Sequence, residues 1–302
     1  MAYGEADIPD QRGRLAIVTG GSGGLGWETA RMLAKAGAHV VIAARSPTKA
    51  ADAVARLRAV VPDASVEVQA LDLASLANVR EFCARWAEGG RTIDLLINNA
   101  GIMAVPHGRS PEGFELQLAT NHLGHFALTM GLWPSLAPRA GTRVVNVSSG
   151  MHHTGRIRFD DLDGDRGYSP WPWYGQSKLA NLLFTLELDR RLRAAGSPIG
   201  ALAAHPGYAA TELQGRTGNA LWSGVMGVGN AIFAQSAAAG ALPTVRAAVD
   251  PAAESGQYWG PGVLGWFGAP ALSSRSAASR DAAVAAKLWE VSETRTGTRW
   301  PA

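Results

Sequence analysis

The chain has 302 residues, of which 47% are apolar and 18% are charged, and its net charge is only +3. Its length suits one large α/β domain or two small ones. The scattered arginines form no basic stripe of the kind that nucleic-acid binding requires. Cys83 is the single cysteine, so no internal disulfide can form, which fits a reducing compartment. With no recognisable signal peptide and no long apolar run, we expect a cytoplasmic protein without a membrane span.

Short apolar runs alternate with segments of helical periodicity along most of the chain. Strands are predicted at 15–19, 38–44, 66–71, 93–97, 143–148, 199–205 and 257–259. Helices are predicted at 25–36, 47–60, 76–88, 111–136 and 173–195. This alternation is typical of a parallel sheet covered on both faces, and right-handed crossovers make it doubly wound. We therefore predict one α/β domain of the Rossmann type over residues 1–302, with seven parallel strands in the order 3-2-1-4-5-6-7.

A glycine-rich turn joins the first strand to the first helix. It reads Thr19-Gly20-Gly21-Ser22-Gly23-Gly24-Leu25-Gly26. Gly20 permits a tight turn, and Gly24 and Gly26 lack the Cβ atoms that would keep a pyrophosphate and the helix apart. The helix N-terminus adds free N–H groups and the positive end of a dipole. Because a strand precedes the turn and a second strand follows about twenty residues on, the pattern indicates a dinucleotide site rather than a plain glycine turn.

The residues that end the second strand bear on which dinucleotide binds. Ala44 and Arg45 stand where the adenosine ribose is expected. A guanidinium suits a 2′-phosphate, and no carboxylate is present to repel it, so we predict NADP(H) over NAD(H). The alternative is that Arg45 is an ordinary exposed arginine. Asp72 is predicted to accept a hydrogen bond from the adenine amino group, or instead to cap the helix that starts near Ser75.

Tyr174 and Lys178 are four residues apart in a helical segment and therefore share a face. Redox chemistry between a carbonyl and an alcohol needs a group that delivers or removes a proton at the substrate oxygen. A tyrosine with a pKa of about 10 is a poor base at neutral pH, and a nearby ammonium stabilises its phenolate. A serine at a strand end can hold the substrate oxygen. Taken alone, a pair with this spacing usually means a packed tyrosine and a solvated lysine.

Six motifs occur in a fixed order along nearly the whole chain. They are the turn at 19–26, Asn98-Asn99-Ala100-Gly101, Asn121, Ser148-Ser149, Tyr174-x-x-x-Lys178, and His205-Pro206-Gly207 followed by Thr211. In these motifs the chain resembles the classical short-chain dehydrogenases/reductases. The resemblance implies a catalytic tetrad. In it, Tyr174 is the acid/base, Ser149 polarises the substrate oxygen, Lys178 binds the nicotinamide ribose and lowers the tyrosine pKa, and Asn121 holds a relay water.

The cofactor contacts follow from the turn, the strand ends and the resemblance together. The predicted set is Gly20, Ser22, Gly23, Gly24, Leu25, Gly26, Arg45, Asp72, Leu73, Asn99, Ala100, Gly101, Tyr174, Lys178, Pro206, Gly207 and Thr211. Asn98 is expected to steady the central sheet. Members of the family often pair their two long helices, here 111–136 and 173–195. Such pairing would give a homodimer or homotetramer, unless the late apolar segment covers that face, so the oligomeric state stays open.

One spacing departs from the usual family pattern. Ser149 lies 25 residues before Tyr174, whereas about a dozen residues separate them in most members. This spacing, the run from Tyr174 to Phe184 and the tail 288–292 resemble the branch that contains the retinol dehydrogenases, the WW-domain oxidoreductase and protochlorophyllide reductase. Substrates vary too widely in that branch to be carried over. The choice of Ser149 over Ser148 as the catalytic serine rests on the alignment alone.

Several other clusters have two interpretations. The aromatic residues 168, 171, 173 and 174 either line a substrate pocket or pack at a helix start. Residues 208–245 are predicted as an apolar substrate lid, with Trp222, Met226, Ile232 and Phe233 as its apolar side chains, or else as a core or interface helix. The pairs His122/His125 and His152-His153 lack a third ligand at suitable spacing, so no metal site is predicted.

Together these features predict an NADP(H)-dependent oxidoreductase. It would transfer a hydride between the nicotinamide and a carbonyl or alcohol of an apolar small molecule that is retinol-, steroid- or ketone-like. One alternative is reduction of a C=C bond. The other is a non-catalytic NADP-binding module that signals redox state.

Overall fold

The computed structural model describes residues 2–207 and 236–300. The strands in these ranges are β1 (Leu15–Thr19), β2 (His39–Ala44), β3 (Val66–Ala70), β4 (Leu95–Asn98), β5 (Arg143–Val147), β6 (Gly200–Ala204), β7 (Tyr258–Val263) and β8 (Phe267–Leu272). The helices are α1 (Gly24–Lys35), α2 (Pro47–Val60), α3 (Leu76–Glu88), α4 (Leu116–Leu118), α5 (Gly124–Leu132), α6 (Pro170–Ala194), α7 (Ala237–Val249) and α8 (Ala282–Thr296).

All of the described strands join one sheet, in the order β3-β2-β1-β4-β5-β6-β7-β8. Neighbours from β3 through to β7 pair in parallel, which confirms the predicted order of seven strands. β8 is an additional strand and pairs antiparallel to β7. Leu264 and Gly265 adopt positive φ angles of 54° and 73° between the two strands, and a reversal this short can only return the chain antiparallel.

The sheet is covered on both faces because successive strand residues point to opposite sides. In β1, Ala16 and Val18 pack in the apolar layer under α1, α2 and α7, whereas Ile17 packs in the layer under α3, α5 and α6. The carboxyl ends of β1, β2, β4 and β5 therefore meet at one edge, where loops collect the polar motifs.

The long helix predicted at 111–136 is wrong at its start and is not uniform. Residues 110–113 form a turn in which Gly113 N–H donates to the Ser110 carbonyl, and the buried Glu115 caps α4 through its carboxylate. Between α4 and α5 lies a single π turn, Ala119–Leu123. Turns of this kind are often found at functional sites, and this one contains Asn121.

The C-terminal third contributes two helices that the sequence analysis did not assign. α7 packs against α1 with Ala241 and Val245 fully buried, so residues 237–245 of the predicted lid belong to the core. The rest of that prediction, including Trp222 and Phe233, lies outside the described residues. α8 packs against α6. In the part of the chain that is described, no helix has both the length and the apolar character needed to cross a bilayer.

Candidate active site

The glycines of the turn after β1 pack so closely against neighbouring backbone that there is no room for side chains. Gly20 has a φ of +67° and its N–H donates to the Ala43 carbonyl at 2.8 Å. A Cβ at Gly26 would collide with the Gly20 carbonyl and lie 2.5 Å from the Asn99 amide nitrogen. The turn is therefore a backbone-lined cradle at the N-terminus of α1, which fits a pyrophosphate.

Thr19 ties this cradle to the Asn99-Ala100-Gly101 segment. Its hydroxyl oxygen accepts the backbone N–H groups of Asn99 and Ala100, both at 2.9 Å. The Asn99 side chain donates to the Thr19 carbonyl at 2.8 Å. The segment after β4 is thus fixed beside the turn, as expected for residues that border one dinucleotide.

The three predicted contacts beyond the turn take up different positions. Arg45 is exposed at the end of β2. Asp72 does not cap α3, because Ser75 does so by accepting from Asn78 N–H at 3.3 Å. One oxygen of Asp72 instead accepts from Ala74 N–H at 3.0 Å. Leu73 is buried, and its carbonyl packs against Gly124 at the start of α5.

Asn121 faces the site because the π turn aims its side chain at the loop after β4. Its Oδ1 accepts from Ile102 N–H at 2.8 Å, and its Nδ2 donates to the Ile102 carbonyl at 2.9 Å and to Ser177 Oγ at 2.8 Å. A Cβ at Gly101 would lie 3.1 Å from Asn121 Oδ1 and 3.3 Å from Lys178 Nζ. Asn121 and Lys178 therefore meet over Gly101.

The two serines after β5 point to different partners. Ser148 is buried and its hydroxyl donates to the Lys178 carbonyl at 2.8 Å, which commits it to the backbone of α6. Ser149 is partly exposed, its hydroxyl accepts from Met151 N–H at 3.2 Å, and it lies near enough to Tyr174 to lower the pKa of that phenol. The geometry thus supports Ser149 over Ser148 as the serine that meets a substrate.

Tyr174 and Lys178 lie one turn apart on α6 and are both nearly inaccessible to solvent. Burial raises the pKa of Tyr174 to about 12, and the nearby Ser149 hydroxyl opposes this rise only in part. Burial lowers the pKa of Lys178 to about 8. Lys178 Nζ donates to the Val147 carbonyl at 3.1 Å and lies 5.8 Å from the Tyr174 ring centroid. Desolvation therefore dominates the pKa of Tyr174, and the expected lowering by Lys178 does not contribute to it here.

His152 was considered above only as a metal ligand, but in the structure it contacts the backbone of Ser149. Its Nδ1 lies 2.7 Å from the Ser149 carbonyl oxygen, and its Nε2 accepts from Ser276 N–H at 3.3 Å. It belongs to a 3-10 turn, Gly150–Thr154, in the long insertion between Ser149 and Tyr174. That turn contacts α6 where Gly155 meets Gly175, since a Cβ at Gly155 would collide with the Gly175 carbonyl. The insertion therefore connects Ser149 to α6, which carries Tyr174.

His125 links the glycine turn to Asn121. Its Nε2 lies 2.9 Å from Thr19 Oγ1 and its Nδ1 lies 3.0 Å from the Asn121 carbonyl oxygen. Burial lowers the pKa of His125 to about 4, so the ring is neutral at pH 7. The only sequence signal for this role was its position four residues after Asn121, which gives one helical face.

The central sheet is tied together below the site by a buried amide pair. Asn98 Nδ2 donates to Asn146 Oδ1 at 2.9 Å and to Thr129 Oγ1 at 3.0 Å, and Asn146 Nδ2 donates to Thr185 Oγ1 at 3.0 Å. These bonds connect α5, β4, β5 and α6. Asn98 thus holds the central strands, as the resemblance implied.

The aromatic residues before Tyr174 divide between packing and the site. Trp173 is buried against Tyr168, with ring centroids 5.4 Å apart, and the Tyr168 hydroxyl donates to the Val105 carbonyl at 2.7 Å. Trp171 is 40% exposed and meets the Tyr174 ring edge-on at 6.3 Å. Packing therefore accounts for Tyr168 and Trp173, whereas Trp171 borders the site.

The last predicted motif, His205-Pro206-Gly207, lies at the end of the described range 2–207. Gly207 has a φ of +67°, and its N–H donates to His205 Nδ1 at 3.2 Å. A Cβ there would collide with the carbonyl of Trp266 in the β7–β8 hairpin. Pro206 and Gly207 therefore sit in a turn that cannot accept a larger residue at position 207. Thr211 lies outside the described residues.

The remaining histidine and cysteine candidates are structural. Within 2–207 and 236–300, no group of three or more histidine, cysteine, aspartate or glutamate side chains could hold a metal ion. His122 Nε2 lies 2.9 Å from Ser292 Oγ of α8. Cys83 packs against Gly131 between α3 and α5, and burial raises its pKa to about 12. These groups support packing rather than chemistry.

Comparison with known proteins agrees with this geometry. The family model for short chain dehydrogenases matches residues 14–221. Retinol dehydrogenase 12 of Mus musculus is 38% identical over 290 residues, which cover 95% of this chain and 88% of the relative. Polyprenol dehydrogenase of Mus musculus is 41% identical over 257 residues, which cover 83% of this chain and 76% of the relative.

Solved structures share the fold. The crystal structure of an uncharacterized protein from Mycobacterium paratuberculosis is 43% identical, covers 100% of both chains and has a TM-score of 0.83. The complex of RhlG with NADP from Pseudomonas aeruginosa is 25% identical, has a TM-score of 0.64, and covers 82% of this chain and 94% of that one. This chain therefore belongs to the short-chain dehydrogenase family of oxidoreductases, in the branch that contains the retinol dehydrogenases.

Proposed function

We propose that the protein is an NADP(H)-dependent oxidoreductase that interconverts a carbonyl and an alcohol on an apolar small molecule. The observation that carries this proposal is the placement of Tyr174 and Lys178 one turn apart on α6, with Lys178 Nζ 5.8 Å from the Tyr174 ring centroid. Asn121 lies beside Lys178 over Gly101, and Ser149 follows β5 near Tyr174. A proton donor, an oxygen-binding hydroxyl and a buried cation stand together next to a pyrophosphate cradle. That combination is what carbonyl–alcohol redox chemistry requires.

The residues present fit the dinucleotide. The turn from Gly20 to Gly26 would hold the pyrophosphate, because the absence of a Cβ at Gly26 lets the start of α1 pack directly against the Gly20 carbonyl and Asn99. Arg45 would meet a 2′-phosphate, and Lys178, over Gly101, would meet the nicotinamide ribose. When bound, the dinucleotide supplies or accepts the hydride.

Tyr174 acts as the acid in the direction of carbonyl reduction. With its pKa raised to about 12 by burial, the phenol carries its proton at neutral pH. It therefore has a proton to donate to the substrate oxygen as negative charge develops there. Ser149 donates a second hydrogen bond to that oxygen and orients it. In the opposite direction, the alcohol proton passes back to Tyr174, which must first be deprotonated.

The proposed substrate is an extended apolar alcohol or its aldehyde or ketone. Two of the relatives are named for retinol and polyprenol, which are both long apolar alcohols. Trp171, which is 40% exposed beside Tyr174, would offer an apolar surface at the entrance.

The proposal is tested by NADPH-dependent reduction of retinaldehyde and of a short polyprenal, followed by identification of the products. We expect the corresponding alcohols, and Tyr174→Phe should reduce kcat by about 10²–10⁴-fold while NADPH binding persists. Tyr3→Phe is the matched control, because Tyr3 packs on Arg246, away from the site. An unchanged kcat in Tyr174→Phe would refute the mechanism. A product saturated at a C=C bond would instead favour the alternative reaction.

A further inference from the structure

Arg56, in the third turn of α2, reaches across to the glycine turn. Its Nη2 donates to the Ser22 carbonyl at 3.0 Å, and its Cζ lies 5.0 Å from the centroid of the Trp27 ring. Trp27 is itself fixed, because its indole N–H donates to the Ala53 carbonyl at 3.0 Å. The guanidinium is therefore held at two points although it lies at the surface.

The positive charge of Arg56 is uncompensated. Among the described residues, no carboxylate forms an ion pair with it. A guanidinium has five N–H donors in a fixed plane, and the Ser22 carbonyl uses one of them. Stacking on Trp27 fixes the orientation of that plane, so little further entropy is lost when an anion binds.

The place that Arg56 reaches is the crevice between the glycine turn and the end of β2. Gly20 N–H donates to the Ala43 carbonyl at 2.8 Å, and a Cβ at Gly21 would lie 3.2 Å from the Ile42 side chain. The turn thus lies against the last residues of β2, which Arg45 directly follows. Arg56 approaches the same crevice from the side of Ser22. In a doubly wound sheet this crevice receives the adenosine ribose.

We propose that Arg56 is a second residue for the 2′-phosphate and that, with Arg45, it determines the preference for NADP(H) over NAD(H). This inference rests on the proposed function, because it assumes that an adenine dinucleotide occupies the cradle. A 2′-phosphate offers three acceptor oxygens and close to two negative charges. Two guanidinium groups from opposite sides match that charge and supply paired N–H donors. The 2′-hydroxyl of NAD(H) would gain neither contact.

The test is calorimetric titration of the intact chain with four probes. NADPH and adenosine 2′,5′-bisphosphate carry the 2′-phosphate, whereas NADH and AMP lack it. The variants are Arg56→Ala, Arg56→Lys and Arg45→Ala. Arg58→Ala is the matched control, because it removes the same charge from the same helix, but Arg58 donates to the Val66 carbonyl of β3 at 3.2 Å.

We expect Arg56→Ala to weaken binding of both 2′-phosphate probes by roughly 10- to 100-fold, with NADH and AMP changed less than about twofold. The salt dependence of NADPH binding should also become shallower, since one charge contact is lost. The affinity of Arg56→Lys for the 2′-phosphate probes should lie between those of the unsubstituted protein and Arg56→Ala, because lysine keeps the charge but not the planar donors.

Two results would overturn the inference while the proposed function stands. One is that Arg56→Ala behaves like Arg58→Ala while Arg45→Ala loses the preference for NADPH. The other is that Arg56→Ala weakens all four probes equally, which would mean that Arg56 only supports the turn. If the unsubstituted protein binds neither NADPH nor NADH, the proposed function fails and the inference fails with it.

Discussion

The imidazole of His152 joins the catalytic serine to the C-terminal segment of the chain. Nδ1 of His152 lies 2.7 Å from the Ser149 carbonyl oxygen, and Nε2 accepts from Ser276 N–H. Because Nε2 is an acceptor, the ring proton is on Nδ1 and is donated to Ser149. Burial lowers the pKa of His152 to about 4, so this arrangement persists at neutral pH.

Substitution of His152 should therefore disturb Ser149 without disturbing the cofactor. We expect His152→Phe to lower kcat for carbonyl reduction by about tenfold or more, because a small misplacement of a catalytic group is costly. NADPH affinity should stay within about twofold, since the glycine turn is not touched. His153→Asn is the control, as His153 is exposed. Equal kcat in the two variants would rule out the positioning role.

Gly26→Ala should abolish dinucleotide binding. The added Cβ would collide with the Gly20 carbonyl and approach the Asn99 amide at 2.5 Å, and neither backbone nor a bonded side chain can easily move away. Overpacking of this kind costs about 1–3 kcal/mol of folding free energy. Titration with NADPH and a urea unfolding curve measure the two effects. Gly89→Ala, where the nearest atom would lie 3.4 Å away, should change neither. Normal binding in Gly26→Ala would show that the turn is not the cradle.

Acid should destabilise the fold through its buried histidines. Burial lowers the pKa of His122 to about 3 and those of His125 and His205 to about 4. Their unfolded pKa is about 6.5, so below that pH the unfolded chain binds more protons than the native one. Stability is therefore present above pH 6.5 and is lost as the pH falls toward 4, by roughly 1.4 kcal/mol per pH unit for each histidine.

Urea unfolding at pH 7, 6 and 5 measures this loss. His122→Phe should flatten the pH dependence by one proton, because phenylalanine fits beside Phe126 and Phe184. A urea midpoint that stays constant between pH 7 and pH 5 would contradict the prediction.

The chain should be a monomer in solution, contrary to the dimer or tetramer that the resemblance suggested. α8 packs on α6 and α5, where the Trp289 ring lies 5.0 Å from Phe126 and 4.4 Å from the Arg191 guanidinium. The helix face that other members pair is thus already covered by the chain itself. Sedimentation equilibrium should give the mass of one chain, 31.6 kDa. A stable dimer at micromolar concentration would show that another face associates.

The parts of the fold that the sequence predicted well are those with strong local signals. α2 and α3 have the predicted bounds, and their starts are fixed by the N-caps Ser46 and Ser75. β8 was missed because its run of glycine, alanine and proline lacks β-branched residues. α7 was missed because its alanine-rich surface gives little amphipathic contrast.

The sequence motifs name the candidate site residues, but they do not reveal contacts between distant parts of the chain. The roles of His152 and Arg56 depend on Ser276 and Ser22, which are 124 and 34 residues away. Nothing in local spacing reveals such partners. The choice between Ser148 and Ser149 likewise needed the direction of each hydroxyl, which depends on the end of β5 and the packing of α6.

The π turn at Ala119–Leu123 makes the site depend on residue count as well as residue type. One extra residue in that turn shifts everything before it by about 100° relative to everything after it. Asn121 faces Ile102 and Ser177 while His125 still reaches Thr19 only because of this offset. Deleting one residue from the turn would leave every catalytic side chain in the sequence, yet the amide and the imidazole could no longer both face their partners.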